Sequence, residues 1–312
     1  MNKTIVAFLL GIILLGACQD SASDKENSAG IIDASVKTRI DSTLKSFIDS
    51  GKTAGVSALI FEKGKEVYFG AFGNADREAN LPMERNTIVQ IFSMTKPITG
   101  VALMTLYDQG KFQLDDSLAK YCPEFANMKV FKGLDAKGNP ILEPAKRPIT
   151  VRDITRHTAG FASGTQIPGL ADIVRKANVM DFTEPLSVMA KKLASLPLAF
   201  HPGDEWNYGI CVDVQAYLVE KLSGKPFDQY LQETIFTPLQ MTNTGFLVPE
   251  ANRSRFAVAY NRNDSSGVLT RLPDSTRTFL NTKEHALKPG GFGLASTLDD
   301  YMKFARMLVN KG

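Results

Sequence analysis

Residues 98–107 are expected in a core and not on a surface. Ile98, Val101, Ala102, Leu103, Met104, Leu106 and Tyr107 place apolar side chains around nearly the whole circumference of a helix predicted over residues 94–109. A helix of that kind sits in a core, so other elements have to pack around it. At its mouth stands Ser93-Met94-Thr95-Lys96-Pro97, a serine one helical turn ahead of a lysine. Pro97 falls in the first turn, where a missing N–H costs little. Ser93 is expected at the helix N-terminus, where free N–H groups and the dipole favour negative charge. Lys96 shares its face. A serine hydrolase that uses lysine to activate its nucleophile needs this pair, with the lysine desolvated enough to act as a base.

Ser-x-x-Lys occurs three times, and context separates the copies. Ser42 and Lys45 lie in a segment where Ile40, Leu44, Phe47 and Ile48 form one apolar stripe, as on an amphipathic surface helix. Both polar residues fall off that stripe and are expected in solvent. Ser117 follows Leu114-Asp115-Asp116, past a helix that ends at Gly110, and reads as a capping or turn serine. Only Ser93 leads into a buried helix.

Further segments carry a resemblance. Thr150-Val151-Arg152-Asp153-Ile154 precedes His157-Thr158-Ala159-Gly160-Phe161; Pro202-Gly203 precedes Trp206 and Tyr208. Pro238-Leu239-Gln240-Met241 and Gly290-Gly291-Phe292-Gly293-Leu294-Ala295-Ser296-Thr297 follow. With Ser93-Met94-Thr95-Lys96, this order resembles the serine β-lactamase and penicillin-binding-protein superfamily, in the branch of class C β-lactamases and family VIII carboxylesterases. The resemblance covers roughly residues 35–312. It implies an α/β (α+β) fold of the β-lactamase/transpeptidase type, with an antiparallel sheet flanked by helices and a mainly helical subdomain. It also implies Ser93 as acylated nucleophile, Lys96 as its base partner and Tyr208 as the proton shuttle to the leaving group.

The chain departs from that pattern twice. Tyr208-Gly209-Ile210 stands where the family has Tyr-Ser-Asn or Tyr-Ala-Asn, and Ile210 offers no side-chain hydrogen bond to an amide substrate. The family's third motif, on a late strand beside the nucleophile, has no counterpart before Gly312. The expected fold is therefore one without the last strands, the terminal helix and one oxyanion donor, a donor whose loss costs on the order of 10²–10³ in rate.

At the other end, Lys3, the apolar run Ile5–Leu15 and Leu15-Gly16-Ala17-Cys18 read as a lipoprotein signal over residues 1–17, with Cys18 as the lipidated residue. Residues 18–30 read as a flexible tether, reaching at most roughly 40 Å, and residues 31–312 as the hydrolase domain, with a helical insert over roughly 110–285. Membrane attachment through the lipid and a bacterial envelope location, periplasmic or cell-surface, are expected. The formal net charge of +3 falls to +2 without Lys3, which gives no argument for nucleic acid. Cys122 and Cys211 are expected as buried free thiols. His157, His201 and His285 show no metal spacing and are not required as bases if Lys96 and Tyr208 serve; neither metal nor cofactor is expected.

Local signals place the elements. A helix is predicted over 33–50, and a hairpin over Val56–Phe61 and Glu66–Phe72 turning at Lys63-Gly64-Lys65. Thr150 with Asp153 forms a capping box. A helix over Val212–Leu222 stops at Gly224 and Pro226. Thr297 with Asp300 caps a last helix, with Leu298, Tyr301, Ala305 and Leu308 on one face. The leading functional expectation is an ester hydrolase working through an acyl-enzyme on a small-molecule ester or β-lactam-like substrate. The alternatives are a weak β-lactamase or D-alanyl-D-alanine carboxypeptidase and, from another class, a non-catalytic envelope lipoprotein.

Overall fold

The computed structural model describes residues 32–275 and 278–312. The predicted signal, Cys18 and the tether lie outside the described residues. Helix α1 (Ala34–Asp49) begins at Asp33, whose carboxylate accepts the Val36 N–H. Strands β1 (Gly55–Glu62) and β2 (Lys65–Asp76) form the expected hairpin. Its two-residue turn holds Lys63 and Gly64 at φ 48° and 78°, a twist that matches antiparallel strands. A short β3 (Leu81–Pro82) joins β2, giving an antiparallel sheet of order β1-β2-β3 with α1 packed against it.

Next comes β4 (Val89–Gln90), followed by a 3₁₀ turn, Phe92–Met94, and helix α2 (Thr95–Asp108). The intervening body holds the hairpin β5 (Lys129–Leu134) and β6 (Pro140–Pro144), then α3 (Val151–Thr155), α4 (Leu170–Ala177), α5 (Leu186–Ala194), α6 (Cys211–Ser223) and α7 (Phe227–Leu231). It closes with a second strand pair, β7 (Tyr260–Arg262) and β8 (Leu269–Arg271), and α8 (Phe279–Thr282). Last come β9 (Ala295–Ser296) and α9 (Leu298–Val309), which packs on β1. The helical segment thus also carries two small hairpins.

The core forms where α2 meets α6. Ile98, Ala102, Leu103 and Leu106 of α2 and Val214 and Leu218 of α6 are fully buried in one cluster. Cover on α2 is one-sided, contrary to the all-round burial its composition implies: Pro97 and Tyr107 are exposed, while Val101 and Met104 are half-buried. Capping occurs as expected on α3, where Thr150 and Asp153 exchange both bonds of the box. Gly224 ends α6 in the left-handed region.

The expected stripe on α9 is corrected. Its buried face carries Asp300 and Phe304, whereas Leu308 is 48% exposed. Asp300 is inside because its carboxylate accepts the Asn243 N–H at 2.7 Å and the Thr244 hydroxyl at 3.2 Å. A count of apolar residues cannot see a buried acid whose partners lie in another segment.

Candidate active site

The smallest sheet positions Ser93. Strands β4 and β9 pair over only two residues, Val89 with Ser296 and Gln90 with Ala295. Immediately beyond, the Ile91 N–H donates to the Leu294 carbonyl at 3.0 Å. This fixes the 3₁₀ turn that carries Ser93. Phe92, just before the serine, sits at φ 41°, a left-handed conformation unusual for a bulky residue.

Three side chains converge there. Lys96 Nζ donates to Ser93 Oγ at 3.0 Å, and the Tyr208 hydroxyl lies 3.1 Å from the same oxygen. Nζ also sits 4.8 Å from the centre of the Tyr208 ring. The Lys96 ammonium and then the Ser93 hydroxyl hold the Tyr208 phenol below its ordinary pKa, because both stabilise the phenolate. Serine, lysine and tyrosine therefore share one hydrogen-bonded centre in which a proton can pass between oxygen, nitrogen and oxygen.

The segment Gly290–Leu294 runs across α2 and is tied to it three times. Thr99 Oγ1 donates to Gly290 O at 2.7 Å, Lys96 Nζ to Gly291 O at 2.6 Å, and Leu294 N–H to Thr95 Oγ1 at 3.3 Å. From the far side, Asp213 of α6 accepts the Gly291 N–H at 2.9 Å. Asp213 is 4% exposed, and burial pushes its pKa up to about 6 despite the Gly291 N–H and the Lys96 charge. A Cβ on Gly290 would meet the Val212 carbonyl oxygen at 2.5 Å, so only glycine lets this segment lie so close to α6.

A groove of about 530 Å³ opens beside Lys96, bordered by Pro97, Val101, Met104, Leu114 and His157.

A beta-lactamase family profile matches residues 40–312. The chain belongs to the beta-lactamase family. Protein Rv1367c of Mycobacterium tuberculosis is 32% identical over 276 residues, covering 86% of this chain and 66% of the relative. Esterase EstB of Burkholderia gladioli is 28% identical over 290 residues, covering 86% and 69%. Among solved structures, EstCE1, "a hydrolase with promiscuous acyltransferase activity", superposes with a TM-score of 0.68 at 27% identity, covering 87% of this chain and 71% of that one. The chain thus spans about two thirds of the length of the relatives it matches. Its fold is the β-lactamase/transpeptidase-like α/β fold expected from the motifs.

Within this beta-lactamase-family fold, the predicted trio Ser93, Lys96 and Tyr208 is brought together. The other two Ser-x-x-Lys pairs lie apart from it. Ser42 and Lys45 are exposed on α1, and Ser117 opens a 3₁₀ turn in which Lys120 pairs with Asp116 at 3.0 Å. Ile210 is 5% exposed and packs in the core. Cys122 and Cys211 are buried free thiols, both pushed up to about 12 by burial.

Three features of the site were not among the predicted residues: Asp213, Gly291 and His157. An acid within the apolar start of α6 was a signal for Asp213. The reading of His157 as a residue not required as a base omits its contact with Tyr208, with ring centres 5.0 Å apart. Among the other histidines, His201 Nε2 contacts Glu143 at 2.8 Å, and His285 packs between Phe182 and Phe279.

Proposed function

We propose that this chain is a serine hydrolase that cleaves carboxylic esters through an acyl-enzyme on Ser93. The observation that carries the reading is the shared contact of Ser93 Oγ with Lys96 Nζ and the Tyr208 hydroxyl. With Lys96 or Tyr208 taking the serine proton, Oγ attacks the ester carbonyl and forms a tetrahedral oxyanion. Collapse breaks the bond to the alcohol oxygen, which leaves with a proton from Tyr208. Water then attacks the acyl-serine, giving up its proton to the same pair, and the acid departs as Ser93 regains its hydrogen.

Ile210 favours esters over amides. Its buried side chain leaves no amide at the second-motif position to hold a peptide or β-lactam side chain. The groove beside Lys96 supplies room for an ester. EstB is named an esterase, and EstCE1 carries acyl transfer beside hydrolysis, so an alcohol replacing water in the second step is the accompanying reading.

The test is labelling with a fluorophosphonate and burst kinetics on a nitrophenyl acetate, with Ser93→Ala as control. Label and burst that vanish in Ser93→Ala support the reading. A folded wild-type protein with neither favours the non-catalytic envelope lipoprotein, and turnover of a chromogenic cephalosporin alone favours the β-lactamase. We further propose that Cys18 anchors the protein in a bacterial envelope through lipid. Loss of detergent partitioning in Cys18→Ser tests that placement.

A further inference from the structure

We infer that His157 is the positioning residue of Tyr208, gripping the residues on both sides of it and bracing its ring. The inference rests on the proposed role of Tyr208 but on separate contacts. The His157 carbonyl accepts the Asn207 N–H at 2.9 Å, and its Nδ1 accepts the Gly209 N–H at 3.3 Å. Asn207 and Gly209 flank Tyr208, so one residue holds the backbone before and after the phenol. Between those two bonds the imidazole lies 5.0 Å from the tyrosine ring, tilted by 32°. Tyr208 is 49% exposed. Burial in a core therefore does not hold it; these contacts, the Trp206 ring 6.1 Å away, Ser93 and Lys96 do.

The backbone supports the same conclusion. His157 sits at φ 60°, a left-handed conformation that costs a non-glycine residue free energy and persists only where surroundings enforce it. The turn it begins makes further contacts with the same segment. Asn207 Nδ2 donates to the Phe161 carbonyl at 2.9 Å and the Ser163 carbonyl at 3.2 Å. A Cβ on Gly209 would lie 2.9 Å from Ser163 Cβ, so the family's usual serine at this place would press on the turn.

The grip requires an unprotonated Nδ1, because an imidazolium has only donors. Burial, and then the charge of Lys96, lowers the His157 pKa, which favours the neutral ring. Lys96 of α2 and Asp213 of α6 are the charged groups that act on the phenol. Nδ1 as acceptor places the ring proton on Nε2.

A double-mutant cycle with a tyrosine titration tests the inference. In wild-type protein carrying ¹³Cζ-labelled tyrosine, the Tyr208 resonance, assigned by its loss in Tyr208→Phe, reports the phenol pKa. His157→Phe keeps a ring but removes the acceptor. It is expected to move that titration up toward the ordinary value and to cut kcat at least about tenfold, with a smaller change in KM. In the Tyr208→Phe background the same change is expected to cost less than about twofold, because it acts through the phenol. Equal losses in both backgrounds, or an unmoved titration, would overturn the inference. If His157→Phe does not fold, His157→Gly, which tolerates the left-handed backbone and has no side-chain acceptor, enters the same cycle with the same expected outcomes. If the wild type neither labels nor hydrolyses, the ester reading fails, while the titration still decides the role of His157.

Discussion

Lys96 Nζ donates to the carbonyl of Gly291 at 2.6 Å, a contact between residues 195 positions apart. That carbonyl and Ser93 Oγ are the two acceptors that aim the ammonium. Lys96→Ala therefore removes the proposed activating group and one tie between α2 and the Gly290–Leu294 segment. The expected loss in kcat on a nitrophenyl acetate is roughly 10²–10⁴-fold, with Ser93 labelling slowed in parallel. A variant that labels at the wild-type rate would remove Lys96 from the chemistry.

Gly290→Ala is expected to damage the site without altering Ser93, Lys96 or Tyr208. The new Cβ would meet the Val212 carbonyl oxygen at 2.5 Å and Ala216 Cβ at 2.8 Å, so the segment has to move off α6. Overpacking of this kind costs about 1–3 kcal/mol, and the displaced Gly291 carbonyl releases Lys96. Thermal melting and kcat are both expected to fall. Gly64→Ala, with nothing around its Cβ, serves as a control whose cost is confined to turn strain.

Asp213 gives a pH dependence of unusual sign. Its folded pKa is raised to about 6 from an ordinary 3.8, so the folded state holds this proton more tightly than the unfolded chain. The resulting stabilisation is complete below about pH 3.8 and is lost as pH rises through about 6. Asp213→Asn has no such proton. Its stability relative to wild type, measured by urea unfolding, is expected to climb across that window and then level off. A flat difference would place the carboxylate pKa near its ordinary value.

Asp153 predicts the opposite slope. Burial would raise its pKa, but Arg147 at 2.6 Å and the N–H and hydroxyl of Thr150 outweigh burial and hold it at about 2. Its stabilisation is present above about pH 3.8 and is lost as pH falls toward about 2. Asp153→Asn is expected to be the less stable protein at neutral pH, with the gap to wild type closing in acid. Unfolding free energies at pH 6 and pH 3 check this.

What was legible in the sequence was local. Lys63-Gly64, Thr150 with Asp153, Thr297 with Asp300, and Gly224 each act within a few residues, and each turn or cap formed as expected. The contact between Ser93 and Lys96 was legible because the two are three apart on one helix face. Tyr208 was legible only through the order of neighbouring motifs. Asp213, Gly291 and His157 escaped because their meaning arises from contacts across the fold. Periodicity also overstated the burial of α2 and misplaced the inner face of α9, since it registers which residues are apolar and not which neighbours are available to cover them.

The two-residue pairing of β4 with β9 has a consequence for biosynthesis. A nascent chain that has reached residue 285 already contains Ser93, Lys96 and Tyr208, but not Gly291 or Leu294, so neither Lys96 nor the turn that carries Ser93 has that support. The trio gains those contacts only when β9, the last described strand, pairs with β4. In a chain of that length the serine is present, but the contacts that hold its turn are not.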